Sequence, residues 1–192
     1  MKKAFAIDMD DVTFNLKDMW AEKIYEDHGI YVSPKDWHTY SLSEVYKGYD
    51  DTKLLNTILK HDLFRKIPLM PNVKETLDDI RSEGNKIVVV TARGWTYNSK
   101  QITLEALEEK GIKVDECHVV KVGESKGGTL KQLSEKFQLT GFVDDSKHHI
   151  HEAATRNDLN IKNLFLQHQK WNENYYHDNV KRIYDFSEIK LR

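Results

Sequence analysis

The chain has 192 residues, 29 Lys and Arg against 31 Asp and Glu for a formal net charge of −2, and 39% hydrophobic residues. That length suits one ordinary domain, or one domain with a modest insertion, and can bury a core without disulfides or structural metal. A charge this close to neutral gives no global attraction to a polyanion, so no extended nucleic-acid partner is expected.

The single cysteine, Cys117, excludes an internal disulfide and a cysteine-rich zinc site; within CHVVKV it reads as a small buried residue. No stretch is apolar for long enough to act as a signal peptide or to cross a bilayer. No membrane partner is expected, and a cytoplasmic location is.

In chain order, the first element is a short apolar run, AFAID, near residue 5. Further strand candidates are KIVVVT at 86–91, CHVVKV at 117–122, GFVDD at 141–145 and NLFL at 163–166. Continuous runs rich in Val and Ile suit parallel strands covered on both faces. Helix patterns alternate with them. PNVKETLDDIRSEG and SKQITLEALEEKG both end on glycine, at Gly84 and Gly111. GGTLKQLSEKF follows the third strand and KHHIHEAATRN the fourth. The alternation predicts an α/β fold, a Rossmann-like doubly wound parallel sheet of about five strands.

Residues 14–70 break this rhythm, with LKDMWAEKIYEDHG and DTKLLNTILKHDLF but no buried strand. They read as a helical cap inserted after the first strand, leaving 1–13 and 71–192 as the core domain. The aromatic tail WNENYYHDNVKRIYDFSEI carries no firm pattern beyond packing on a domain edge.

Ligands of open parallel sheets bind at the carboxyl ends of the strands, and two of these ends are acidic. Asp8 and Asp10 close the first strand; Asp144 and Asp145 close the fourth. Crowded carboxylates need a cation or shifted pKa values, and an all-oxygen donor set suits Mg²⁺. The Asp-x-Asp spacing supplies one carboxylate for covalent chemistry and another for proton transfer. Thr91 ends the second strand with a hydroxyl donor, and Lys126 precedes a helix with a positive charge for the same pocket. The ordered set Asp-x-Asp, Thr, Lys, Asp-Asp is far more specific than any one of its parts.

With those residues in place, the sequence resembles the haloacid dehalogenase-like phosphatase superfamily. DMDDVT is similar to its first motif, VVVTAR to its second, the lysine of SKGGTLKQL to its third and FVDD to its fourth. The run LFRKIPLMPNVKETLDDIRSEGNKIVVVTAR most resembles the 5'(3')-deoxyribonucleotidase branch.

The resemblance implies a Mg²⁺-dependent phosphomonoester hydrolase working through an aspartyl-phosphate. Asp8 would be the nucleophile and Asp10 the acid/base. Asp8, the Asp10 carbonyl and Asp144 would bind the metal, with Asp145 in or beside its shell. Thr91 and Lys126 would hold the phosphoryl oxygens, with Lys131 as the fallback for Lys126. The expected partner is a small phosphomonoester, a nucleoside monophosphate, and a homodimer is compatible with the sequence.

Departures from the family pattern sit in the first motif. Asp11 stands where many relatives have glycine, and Thr13 and Phe14 replace more usual residues; Asp11 is expected to face solvent. The triplet Thr91-Ala92-Arg93 also differs from close nucleotidases, and Ala92 and Arg93 join the expected substrate contacts.

Within the cap, Trp20, Trp37, Tyr40, Tyr46 and Tyr49 offer rings for a nucleobase, with Trp37 and Tyr40 selected. Arg65 is a candidate for phosphate or sugar. His148, His149 and His151 read as a solvated helix start rather than a second metal site. Three other readings stay open: hydrolysis of sugar phosphates or 3'-phosphate ends, a phospho-receiver module, and a non-catalytic binding module. Asp10 and the cap count against the receiver, and the filled catalytic positions count against the silent binder.

Overall fold

The computed structural model describes residues 1–39 and 41–191. Its centre is a six-stranded parallel sheet in the order β3-β2-β1-β4-β5-β6. The strands are β1 (Lys3–Ile7), β2 (Asn85–Thr91), β3 (Glu116–Val119), β4 (Gln138–Asp144), β5 (Leu164–Gln167) and β6 (Val180–Ile183). The chain winds from β1 outward to β3, then crosses back to lay β4 on the other side of β1. That reversal is the topological switch point of a doubly wound sheet, where ligand clefts form.

The period-2 geometry of β1 explains how one strand serves two cores. Phe5 and Ile7 join one apolar cluster, while Ala4 and Ala6 join another with Val88 and Val90 of β2. Helices α7 (Gly127–Lys136) and α8 (Lys147–Thr155) cover the alanine face through Leu130, Leu133 and Ile150. Helices α5 (Val73–Ser82) and α6 (Ser99–Glu109) cover the Phe5 face through Leu77, Ile80 and Leu107.

The segment between β1 and α5 is helical, with α1 (Leu16–His28), α2 (Leu42–Val45), α3 (Asp51–Lys60) and α4 (Leu63–Lys66). Its entry and exit run side by side. The Asn15 amide donates to the Pro68 carbonyl at 3.0 Å and the Met70 amide to the Thr13 carbonyl at 2.9 Å. Phe14 and Leu69 form an antiparallel bridge between them. Cys117 is buried in β3, and burial pushes its thiol up to about 11.

The sheet carries one strand more than the apolar runs indicate. β6 pairs with β5 from Leu164↔Val180 to Gln167↔Ile183. Only Ile183 of its four residues is buried, so this edge strand lacks the apolar run that marks a central one.

Candidate active site

Asp8 follows β1, its amide donating to the Val143 carbonyl at 3.0 Å, so strand pairing sets it beside the end of β4. The turn beyond it is tight, with the Thr13 hydroxyl donating to the Asp8 carbonyl at 2.6 Å. Asp11 sits at φ 57°, in the left-handed region where glycine is at ease and Asp and Asn are the best-tolerated alternatives. The backbone thus accounts for an aspartate where glycine is usual.

The expectation that Asp11 faces solvent is corrected by its burial, at 9% exposure. Its Oδ1 accepts from the Lys17 amide at 3.0 Å, satisfying an open donor in the first turn of α1. Burial nevertheless pushes its carboxyl up to about 7, against the pull of Lys17.

Lys126 stands between the two acidic strand ends. Its Nζ lies 2.5 Å from Asp8 Oδ1 and 2.7 Å from Asp144 Oδ2, and all three side chains are buried. Burial works to lower the ammonium's pKa, but Asp144 and Asp8 outweigh it and hold the group charged.

The carboxylates respond differently. Asp8 is pushed up to about 6 by burial, over the opposing charge of Lys126, with Asp144 and Asp10 adding to the rise. Asp144 is held down at about 2 because Lys126 and His149 overcome its burial. Asp145 is raised well above the ordinary carboxylate range by burial and by the charges of Asp144, Asp8 and Asp11.

Carboxylate oxygens of Asp8, Asp144 and Asp145 lie within 4.8 Å of one another. Three buried hard-oxygen donors against one buried ammonium leave the site short of positive charge. A divalent cation of the Mg²⁺ type fits that donor set.

Asp10 has a partner that the motif pattern does not reveal. The Arg93 guanidinium grips its carboxylate, Nε donating at 2.9 Å to Oδ2 and Nη2 at 2.5 Å to Oδ1. Arg93 is fully buried, with its guanidinium 4.4 Å from the Phe64 ring centroid and 5.4 Å from that of Phe14. The unusual Phe14 of the first motif therefore has a contact, and Arg93 serves Asp10 rather than projecting into open pocket. Gly94 lets the same loop lie against the segment after β3: a Cβ there would sit 2.6 Å from the Val120 carbonyl oxygen.

These groups open onto a cavity of about 420 Å³ at the carboxyl ends of the strands. Asp8, Asp10, Lys126, Asp144, Asp145 and Ala92 line it. Thr91 does not reach the lining; its hydroxyl is buried and has no hydrogen-bond partner among the described residues. Leu16, Trp20, Phe64 and Trp95 line it as well and give it an apolar wall.

Of the rings proposed from sequence, Trp20 is on that wall. Trp37 is buried in the helical segment, its indole donating to the Val32 carbonyl at 3.2 Å. Tyr40 lies outside the described residues. Arg65 is tied up on the surface, 2.8 Å from Glu105 and 2.9 Å from Asp62. Lys131 pairs with Asp158 at 3.3 Å, away from the cavity.

His148 and His149 both line the cavity, and His149 Nδ1 is 3.3 Å from Asp144 Oδ2. The helix start is thus part of the site wall rather than wholly solvated. Trp95 and Phe64 were missed from sequence. Trp95 had a usable signal, since it follows Thr91 in the loop at a strand's carboxyl end.

Solved structures similar to this chain share its architecture at low identity. A haloacid dehalogenase-like family hydrolase from Streptococcus pneumoniae superposes with TM-score 0.64 and 12% identity, over 98% of this chain and 96% of its own. A protein described as a predicted phosphoglycolate phosphatase from Haemophilus somnus gives 0.63 and 18%, over 97% and 96%. A haloacid dehalogenase-superfamily hydrolase of subfamily IA from Geobacter sulfurreducens gives 0.61 and 15%, over 98% and 97%. The fold is that of the haloacid dehalogenase-like hydrolases.

A family model described as 5' nucleotidase, deoxy (pyrimidine), cytosolic type C protein matches residues 2–161, and the chain belongs to that family of haloacid dehalogenase-like phosphatases. A comparison with curated proteins finds no match. Among the described residues no helix is long and apolar enough to cross a membrane.

Proposed function

We propose that the protein is a Mg²⁺-dependent phosphatase of nucleoside monophosphates, working through an aspartyl-phosphate. One observation carries the reading: a buried Asp8–Lys126–Asp144 cluster shares one cavity with an apolar wall that includes Trp20, Phe64 and Trp95. The first can receive a phosphoryl group and the second a flat, apolar base. Residues 14–70 act as the cap that supplies most of this wall.

Asp8 attacks phosphorus, forming the acyl-phosphate bond as the bond to the leaving alkoxide breaks. Asp10, oriented by Arg93, gives that alkoxide its proton. It then takes one from the water that attacks the intermediate, which releases phosphate and restores Asp8. Lys126 offsets charge on the phosphoryl oxygens and keeps Asp8 and Asp144 apart from direct repulsion. Asp8, Asp144 and Asp145 would hold the cation, which supplies charge neutralisation at the phosphoryl group.

The test is a panel of nucleoside 5'- and 3'-monophosphates against sugar phosphates, with Mg²⁺ and then with chelator. Nucleotide turnover that chelator abolishes and Asp8→Asn abolishes is the expected result. Faster turnover of sugar phosphates would overturn the substrate, and undiminished activity in Asp8→Asn would overturn the covalent route.

A further inference from the structure

The stretch matched by the family ends at residue 161, yet a turn beyond it reaches the acidic cluster. After β5 the chain makes a short 3₁₀ turn, Lys170–Asn172, preceded by Gln169. Trp171 Nε1 donates to Asp145 Oδ2 at 3.1 Å, and Asn172 Nδ2 donates to the Asp145 carbonyl at 2.7 Å. Gln169 Nε2 donates to the Asp11 carbonyl at 2.9 Å. One turn thus grips the side chain and backbone of Asp145 and, at the same time, the turn that carries Asp8 and Asp10.

The turn is itself held. Asn172 Oδ1 accepts from the Gln169 amide at 3.1 Å and from Arg182 Nη1 at 2.7 Å. Arg182 Nη2 donates to the Asn172 carbonyl at 2.8 Å, which makes β6 the support of the turn. Gln169, Trp171 and Asn172 are all buried.

We infer that residues 169–172 are a positioning brace that fixes the Asp145 carboxylate, and thereby sets how tightly the acidic cluster binds its cation and how well it distinguishes Mg²⁺ from Ca²⁺. The inference rests on the reading of Asp8, Asp144 and Asp145 as a cation site. Groups that hydrogen-bond a metal ligand orient it, and their loss characteristically costs about 10–100-fold in affinity. Rigidity also selects the ion: Mg²⁺ requires near-ideal octahedral geometry, while Ca²⁺ accepts a looser and larger set of oxygens. A carboxylate pinned at side chain and backbone favours the stricter ion.

The experiment is calorimetric titration of the 192-residue chain with Mg²⁺ and, separately, Ca²⁺, in its unmodified form and as Trp171→Phe and Asn172→Ser. Asp145→Asn serves as reference, and thermal unfolding is recorded for each. Trp171→Phe keeps an aromatic ring but removes the N–H donor, and is expected to weaken Mg²⁺ binding about tenfold or more. Ca²⁺ binding should weaken less, so the preference for Mg²⁺ narrows. Asn172→Ser should move both quantities in the same direction, and it decides the matter if Trp171→Phe does not fold.

Unchanged affinity and selectivity in the folded variants would overturn the brace while leaving the cation site standing. Loss of fold in both variants that excess Mg²⁺ does not reverse would assign the turn to the fold alone and also overturn it. If the unmodified chain binds neither ion, the cation reading fails, and the brace fails with it.

Discussion

Lys126 is buried between Asp8 and Asp144, so its charge holds together two carboxylates that would otherwise repel out of reach of water. Removing one partner of a buried ionic cluster costs about 3–5 kcal/mol, because the remaining charge stays buried without compensation. Lys126→Met should therefore lose about that much stability at pH 7 in denaturant titrations, and recover part of it in acid as carboxylates take up protons. Asp11 makes the opposite case. Its folded carboxyl is raised to about 7 from 3.8, so the native state holds a proton that the unfolded chain releases. Its burial costs nothing below pH 3.8, costs progressively more as pH rises to about 7, and is flat above. Asn tolerates the same left-handed backbone and keeps an acceptor for the Lys17 amide. Asp11→Asn should thus raise the Tm by on the order of 5 °C at pH 8 and change it little at pH 4. The meeting of Asp8, Lys126 and Asp144 was open to sequence reading because each stands at a strand or helix end. The burial of Asp11 and the grip of Arg93 on Asp10 were not, because both depend on where distant segments meet.

At the scale of elements, the cavity is a contract between strand ends and the helical segment. The ends of β1 and β4 and the start of α7 deliver charge; α1, α4 and the loop after β2 deliver Trp20, Phe64 and Trp95. A base stacked on such a ring gains roughly 1–3 kcal/mol. Trp95→Ala should accordingly raise KM for nucleoside monophosphates by about 5- to 150-fold while leaving turnover of a small substrate such as p-nitrophenyl phosphate within a few-fold. An equal loss on both substrates would show that Trp95 supports the loop instead of a base. Composition made the aromatic richness of residues 14–70 visible but did not sort the rings. Trp37 and Trp20 lie only 6.2 Å apart, centroid to centroid, yet one reaches the cavity and the other packs in the core. That distinction is made by tertiary packing, as is β6, whose polar alternation hides an edge strand.

At the scale of the whole molecule, the segment beyond residue 161 is structural as well as positioning. Leu164 and Leu166 are buried in one core cluster and Phe165 in the other, so β5 seals both faces of the sheet at once. A chain cut after Ile161 should fail to fold, with no cooperative thermal transition and loss of near-ultraviolet circular dichroism. The same architecture governs how the protein is made. β1 lies at the middle of the sheet, and the Thr140 hydroxyl donates to the Ala4 carbonyl across 136 residues of sequence. During synthesis, β1 can pair with β2 once residues 85–91 have emerged, but its other edge stays unpaired until β4 leaves the ribosome. Closing so long a loop is slow relative to local helix formation, so this unpaired edge is the nascent chain's point of exposure to misassembly. Translation that stalls between β3 and β4 would leave the acidic end of β1 without Asp144 and Asp145. A partial chain of that kind would be a target for quality control, with no phosphatase activity to offer.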